Sequence, residues 1–113
     1  MHVLVYKFKV NRGLSRLRLY LTSIPCMSQA GNQKANFKLD LITRENYLIA
    51  YSFWRDEDAM LSFERTNIHV NTLRELNRIC AFEEFHFEFE TPPSKSDLEL
   101  LLNKDLVEEQ VKL

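Results

Sequence analysis

Residues 82–90 alternate strictly: Phe85, Phe87 and Phe89 fall on one side, and Glu84, His86, Glu88 and Glu90 on the other. That is the period of a strand with one wet face. The same period marks His2 to Val10, where Leu4, Tyr6 and Phe8 share one face and Val3, Val5, Lys7 and Lys9 the other. Phe37, Leu39 and Leu41 alternate with Lys38 and Asp40 in a third strand. Tyr47 to Trp54 is nearly all apolar or aromatic, which suits a central strand covered on both faces. The short turn Arg44-Glu45-Asn46 joins these two runs into a hairpin.

Helical spacing fills the gaps between strands. Leu14, Leu17, Leu21 and Ile24 form one stripe, with Arg16 and Arg18 pointing elsewhere, and Pro25 is expected to stop that helix. Met27 to Ala35 then reads as a polar loop. Asp56 has the chemistry of an N-cap, and Glu57 and Asp58 suit the positive end of a helix dipole. Ala59, Met60 and Phe63 would be its buried stripe. Thr66-Asn67 interrupts the pattern, and a second helical stretch carries His69, Leu73, Leu76 and Cys80 on one face. Past Thr91-Pro92-Pro93, Ser96-Asp97-Leu98-Glu99 has the form of a capping box. Leu98, Leu101, Leu102 and Leu106 give the tail an apolar stripe, expected to pack on its own domain or on a partner subunit.

The resulting order, β-α-β-β-α-β, is an α+β fold of ferredoxin-like type over residues 1–91, with residues 92–113 as a helical tail. Two helices would cover one face of the antiparallel sheet. The other face needs a cover too, because a sheet this aromatic would otherwise expose a patch well above a few hundred Å². Leu48, Ala50 and Trp54 are the expected third-strand contributors to it. Two copies facing each other would close a barrel.

Composition narrows the function classes. The chain has 113 residues, net charge −1 and a pI of about 6.3. It lacks the basic footprint of a nucleic-acid binder. Its third strand, YLIAYSFW, has no Lys or Arg, unlike an RNA-recognition sheet with basic residues beside its aromatics. Two glycines leave little for a phosphate-cradling loop. Cys26 and Cys80 have no metal-site spacing and read as reduced thiols. No stretch reaches the roughly 18 apolar residues of a membrane span. HVLVYKFKV at the start does not look like a signal peptide, so a cytoplasmic protein is expected.

The candidate chemistry is sparse. His69, on an apolar stripe just after a helix break, could be a base, a haem or metal ligand, or a structural histidine. His86, between Glu84 and Glu88, is either part of a metal site completed elsewhere or a polar edge that deters strand pairing. Tyr6, Tyr47 and Tyr51 could line a cavity and hydrogen-bond a phenolic substrate, or be core residues with their hydroxyls at the surface. Arg12, Arg16 and Arg18 read as a solvated basic face.

The run Trp54-Arg55-Asp56-Glu57-Asp58-Ala59, then Phe63, then His69, resembles the antibiotic biosynthesis monooxygenase branch of the dimeric α/β-barrel superfamily. That branch has a strand-ending Trp, an acidic helix start, an Ala, an aromatic and a His in this order. The segment is also similar to one in spheroidene-monooxygenase-like proteins. The resemblance implies a homodimer and a monooxygenase, cofactor-independent or haem-degrading, with an apolar cavity for an aromatic or quinol substrate or for haem. It implies His69 as base or axial ligand, with Tyr6, Tyr51, Trp54, Phe63 and Leu73 as walls, and no metal site. Haem degraders of this superfamily add an Asn on the first strand and a Trp inside the second helix. This chain has Tyr6-Lys7-Phe8 and Phe63 there. The alternative is a non-catalytic dimeric module binding a small apolar ligand or a protein.

Overall fold

A computed structural model describes residues 1–11, 13–34 and 36–111, the side chains of 37 and 104–111 excepted. Arg12 and the side chains of Phe37 and Leu106, which the sequence places in the basic cluster, a strand face and the tail stripe, lie outside the described residues. The elements are β1 (His2–Lys9), α1 (Leu14–Gly31), β2 (Asn36–Thr43), β3 (Leu48–Trp54), α2 (Glu57–Glu64), α3 (Asn67–Ile79), β4 (Ala81–Glu88) and α4 (Lys95–Val111). The strands form one antiparallel sheet in the order β2-β3-β1-β4. This is the α+β, ferredoxin-like architecture that the period-2 runs predict.

Two cores flank the sheet. Leu4, Tyr6 and Phe8 of β1, with Leu48 and Trp54 of β3, meet Leu19, Ala30, Met60, Phe63 and Leu76 of α1, α2 and α3. Val3 and Val5, with Ile42, Ile49, Tyr51 and Phe53, meet Leu98 and Leu102 of α4 on the opposite face. The tail helix therefore packs on its own sheet. Leu48, Ala50 and Trp54, expected on that second face, lie instead with the first core. In register, Leu48 pairs with Phe8, Ala50 with Tyr6 and Trp54 with His2, and paired residues share a face.

Asp56 caps α2 as expected, accepting from the Asp58 amide. The α4 cap sits two residues earlier than the sequence suggests: Ser94 Oγ accepts from the Asp97 amide. Glu99 is thereby freed to reach the β2–β3 hairpin.

Helix α1 departs most from expectation. It runs through Pro25, which sits on the exposed side, and takes in much of the expected loop. Proline removes one helical hydrogen bond at a cost of about 3 kcal/mol. Beyond it, Cys26, Met27 and Ala30 still face the sheet, and their packing carries the helix on. The leucine stripe faces outward: Leu14, Leu17, Leu21 and Ile24 are 53–85% exposed, while Leu19 and Arg16 are buried. Arg16 is thus no part of a solvated face. One guanidinium nitrogen, Nη2, donates to the carbonyls of Val10 (2.6 Å), Glu45 (3.2 Å) and Tyr47 (3.3 Å). That anchor ties α1 to the β2–β3 hairpin and fixes which helix face turns inward. Arg16→Ala is expected to cost about 3 kcal/mol, against less than about 0.5 kcal/mol for exposed Arg18→Ala, in paired denaturant titrations.

Candidate functional site

A cavity of about 70 Å³ lies between the sheet and helices α1 and α3. Its walls are apolar, from Leu4, Phe8, Leu19, Leu48, Phe63 and Leu73 among others. Among the polar or reactive residues in that lining are Tyr6, Cys26 and His69. Tyr20, Met27 and Leu39, also in the wall, are half-buried.

Local structure sets the histidine. Thr66 ends the break between α2 and α3 and caps α3, its hydroxyl accepting from the His69 amide at 3.3 Å. This places His69 in the first turn of α3, only 3% exposed, with its ring edge-on to Phe63 at 4.8 Å. His69 Nε2 lies 2.8 Å from Tyr6 Oη, and His69 Nδ1 lies 3.6 Å from Cys26 Sγ. Thr72, one turn along α3, also lines the cavity.

Burial decides the protonation states. Loss of hydration lowers the His69 pKa, although Glu84 pulls it upward. The imidazole is therefore neutral at neutral pH and can accept a proton. Burial, reinforced by Glu84 and Glu64, raises the Tyr6 pKa, so its phenol keeps its hydrogen. Burial raises the Cys26 pKa more than Thr72 lowers it, so the thiol stays protonated and unreactive. Glu84 stands opposite Tyr6 across the β1–β4 pair. Glu64 lies at the last turn of α2. Partial burial and the repulsion of Glu84 raise the Glu64 pKa to about 7.

Of the residues the sequence singles out, the fold brings Tyr6, Tyr51, Phe63, His69 and Leu73 to the lining of one cavity, and leaves Trp54 outside it. Trp54 is fully buried behind Phe63, stacked on it at 5.3 Å, and its indole N–H donates to Ser52 Oγ at 2.8 Å. The Tyr51 ring packs in the α4-side core against Phe53, with its hydroxyl donating to Asp40 at 3.4 Å. His86 meets His2, with Nε2 and Nδ1 3.1 Å apart. Among the described residues, no group of three His, Cys, Asp or Glu could hold a metal ion. Nor is any described helix long and apolar enough to cross a membrane. Sequence reasoning missed Cys26, which lies in the segment read as a loop, and the Glu64–Glu84 pair.

Haem does not fit this site. Sites for drug-sized molecules run to about 300–1,000 Å³, several times this cavity.

No family model matches the chain, and no curated protein matches it. Solved structures do. SnoaB, a cofactor-independent oxygenase from Streptomyces nogalater, is 14% identical with a TM-score of 0.67, covering 83% of this chain and 97% of its own. A candidate antibiotic biosynthesis monooxygenase from Deinococcus radiodurans is 7% identical, with a TM-score of 0.71 and coverage of 83% and 97%. One from Nitrosomonas europaea is 9% identical, with a TM-score of 0.68 and coverage of 80% and 100%. At such identities the likeness is one of fold, and it agrees with the order of Trp54, the acidic helix start, Phe63 and His69: this chain has the fold of the antibiotic biosynthesis monooxygenase-like proteins.

Proposed function

We propose that this protein is a small oxygenase in which His69 deprotonates a single-ring phenol or quinol and the resulting phenolate reduces dioxygen directly. The observation that carries this reading is one buried neutral imidazole, held between a phenol and a thiol, in the wall of an otherwise apolar cavity. The likeness to SnoaB, a cofactor-independent oxygenase, supports it. So does the chemistry. An ionised quinol is electron-rich enough to supply every electron the oxygen needs. Balanced, a benzenediol and dioxygen give a hydroxyquinone and water: one oxygen atom enters the ring and the other leaves as water. The protein's share is to hold the ring beside His69, exclude bulk water and take the first proton. The cavity volume limits the substrate to one ring, and even that requires Tyr20 or Met27 to swing outward.

The assembly in this reading is a homodimer. Helix α4 covers the β1–β3–β2 part of the second face, but Phe85, Phe87 and Phe89 at the β4 edge stay half-buried beside it, and a second copy would cover them.

Dioxygen uptake with a series of substituted hydroquinones tests the function, run under isotopically labelled dioxygen. The expected result is saturable uptake with one labelled atom in the hydroxyquinone. Uptake that leaves the product unlabelled is mere autoxidation and rejects the reading. Saturable ligand binding without uptake would make the chain a binding module instead.

A further inference from the structure

We propose that the outward face of α1 is a contact between two copies of this chain, in which the stripe of Leu14, Leu17, Leu21 and Ile24 packs antiparallel on its own image about a two-fold axis. The proposal is independent of the chemistry at His69.

Helix α1 is apolar on both sides. Leu19 and Ala30 face the core, and Cys26 and Met27 line the cavity. Leu14, Leu17, Leu21 and Ile24 face out, each more than half exposed. That exposure leaves them without a cover among the described residues. The outer face of the neighbouring α3 is ordinary by comparison. It exposes Asn71, Arg74, Glu75 and Arg78 among others, with Val70 as its one large apolar side chain. A single exposed aliphatic residue is normal on a surface; four in one row mark an interaction face.

Spacing selects the occupant. The intervals along the stripe are three, four and three residues, the a/d pattern of a helix-pairing seam. They read the same in both directions. Turned end for end about the middle of the stripe, the helix therefore meets itself in register. Leu14 lies over Ile24 of the second copy, and Leu17 over Leu21. A self-complementary patch of this kind closes on a two-fold axis.

Charge agrees with that register. Helix α1 has no acidic residue, and with Arg16 turned inward its exposed cation is Arg18. Side chains on a helix lean towards its N-terminus. In the antiparallel pair, Arg18 and its image thus diverge. Each reaches along the same flank towards Pro25 of the other copy, one heptad away. Pro25 has no N–H, so the Leu21 carbonyl loses its helical donor on this exposed side. The Arg18 guanidinium supplies one across the interface. A lipid surface is the poorer occupant, because an interfacial helix is rich in Lys and Arg on its polar face, and α1 exposes one such residue.

Area sets the strength. Four aliphatic side chains so exposed lie within the roughly 300–600 Å² of the largest apolar patch on a typical monomer. With Arg18 and Pro25 added, the contact comes to about 600 Å² per copy, the low end of specific interfaces. The pairing is therefore reversible and concentration-dependent. It lies across the sheet from Phe85, Phe87 and Phe89, so it can join two sheet-face dimers into a tetramer.

Sedimentation equilibrium of the whole chain, over a range of concentrations, tests this. At high concentration the native assembly should have twice the mass of Leu17→Glu/Leu21→Glu, whether or not the sheet faces also pair. The control Leu100→Glu should keep the native mass. Pro25→Ala gives the Leu21 carbonyl its donor back. It should strengthen the helix yet weaken the pairing by about tenfold or more, the worth of a hydrogen bond to a charged group. Adding Arg18→Ala to it should change little further. Oxidation should link copies of the Leu14→Cys/Ile24→Cys double variant, beyond the native background, and not copies of either single variant. Equal masses for the native chain and the stripe variant, an unweakened Pro25→Ala, or cross-links in a single variant overturn the proposal. So does binding to phosphatidylglycerol vesicles that the stripe variant loses with no change in mass, which would make α1 a lipid-docking face.

Discussion

Replacing Leu98 and Leu102 together with alanine is expected to lower the unfolding free energy by about 5 kcal/mol, where Leu100→Ala changes it by less than about 0.5 kcal/mol. The three lie within one stretch of α4, yet Leu98 and Leu102 are 1% and 0% exposed and Leu100 is 67% exposed. A buried Leu→Ala change costs about 2–5 kcal/mol, and these two, one turn apart in one core, will not sum fully. A loss of that size takes up much of the stability of a small domain, about 5–15 kcal/mol. Polar ties also hold the helix. Arg44 Nε and Nη2 donate to the Glu99 carboxylate at 2.8 and 2.5 Å, and Tyr47 hydroxyl donates to it at 2.7 Å. Lys95 pairs with Asp40 at 2.8 Å, and the buried Lys7 ammonium donates to Asn103 at 3.1 Å. The Lys95–Asp40 pair is largely exposed and contributes little. The leucines carry the attachment. Denaturant midpoints measure the loss. Sedimentation of the double variant shows what the freed face does: Val3, Val5, Ile49 and Phe53 would be open to a second copy. Equal effects for the double variant and Leu100→Ala would mean that α4 is not seated on the sheet.

Strands were legible in this sequence because a half-buried strand writes its two faces into alternate residues. The same parity rule separates Tyr6 from Tyr51. Tyr6 pairs with Ala50, so Ala50 and Tyr6 share the cavity face while Tyr51 turns to the other. Helix α1 was not legible, since its most regular apolar stripe is not the one it buries. Arg16, with three backbone carbonyls to satisfy, outweighs four leucines in choosing the face. The tail helix carried an apolar stripe, but a stripe names no destination. In the site, His69 stood out by following a helix break and Tyr6 by its strand face. Cys26 and Glu64 gave no local signal. Their roles arise from a contact across 43 residues, in the case of Cys26 with His69, and from the repulsion between Glu64 and Glu84 across the α2–β4 junction.

His69→Ala is expected to reduce kcat/KM for hydroquinone oxidation by about 100- to 10,000-fold, the span of a lost general base. Folding should be retained, because the ring's losses are its polar contacts with Tyr6 and Cys26 and its ring contacts with Phe63 and Tyr6. The pH profile separates a base from a wall residue. Burial depresses the His69 pKa below its ordinary 6.5, so the native enzyme should hold its rate as pH falls through that value and lose it only lower. The same shift acts on stability with a definite sign. Above pH 6.5 both folded and unfolded histidine are neutral; as pH falls below it, the unfolded ring takes up a proton that the folded ring refuses, and stability drops until the folded pKa is passed. Rate and stability should thus weaken on the same acid side. His69→Ala should remove the acid limb from the residual rate, and a variant that keeps this limb would show that another group takes the proton.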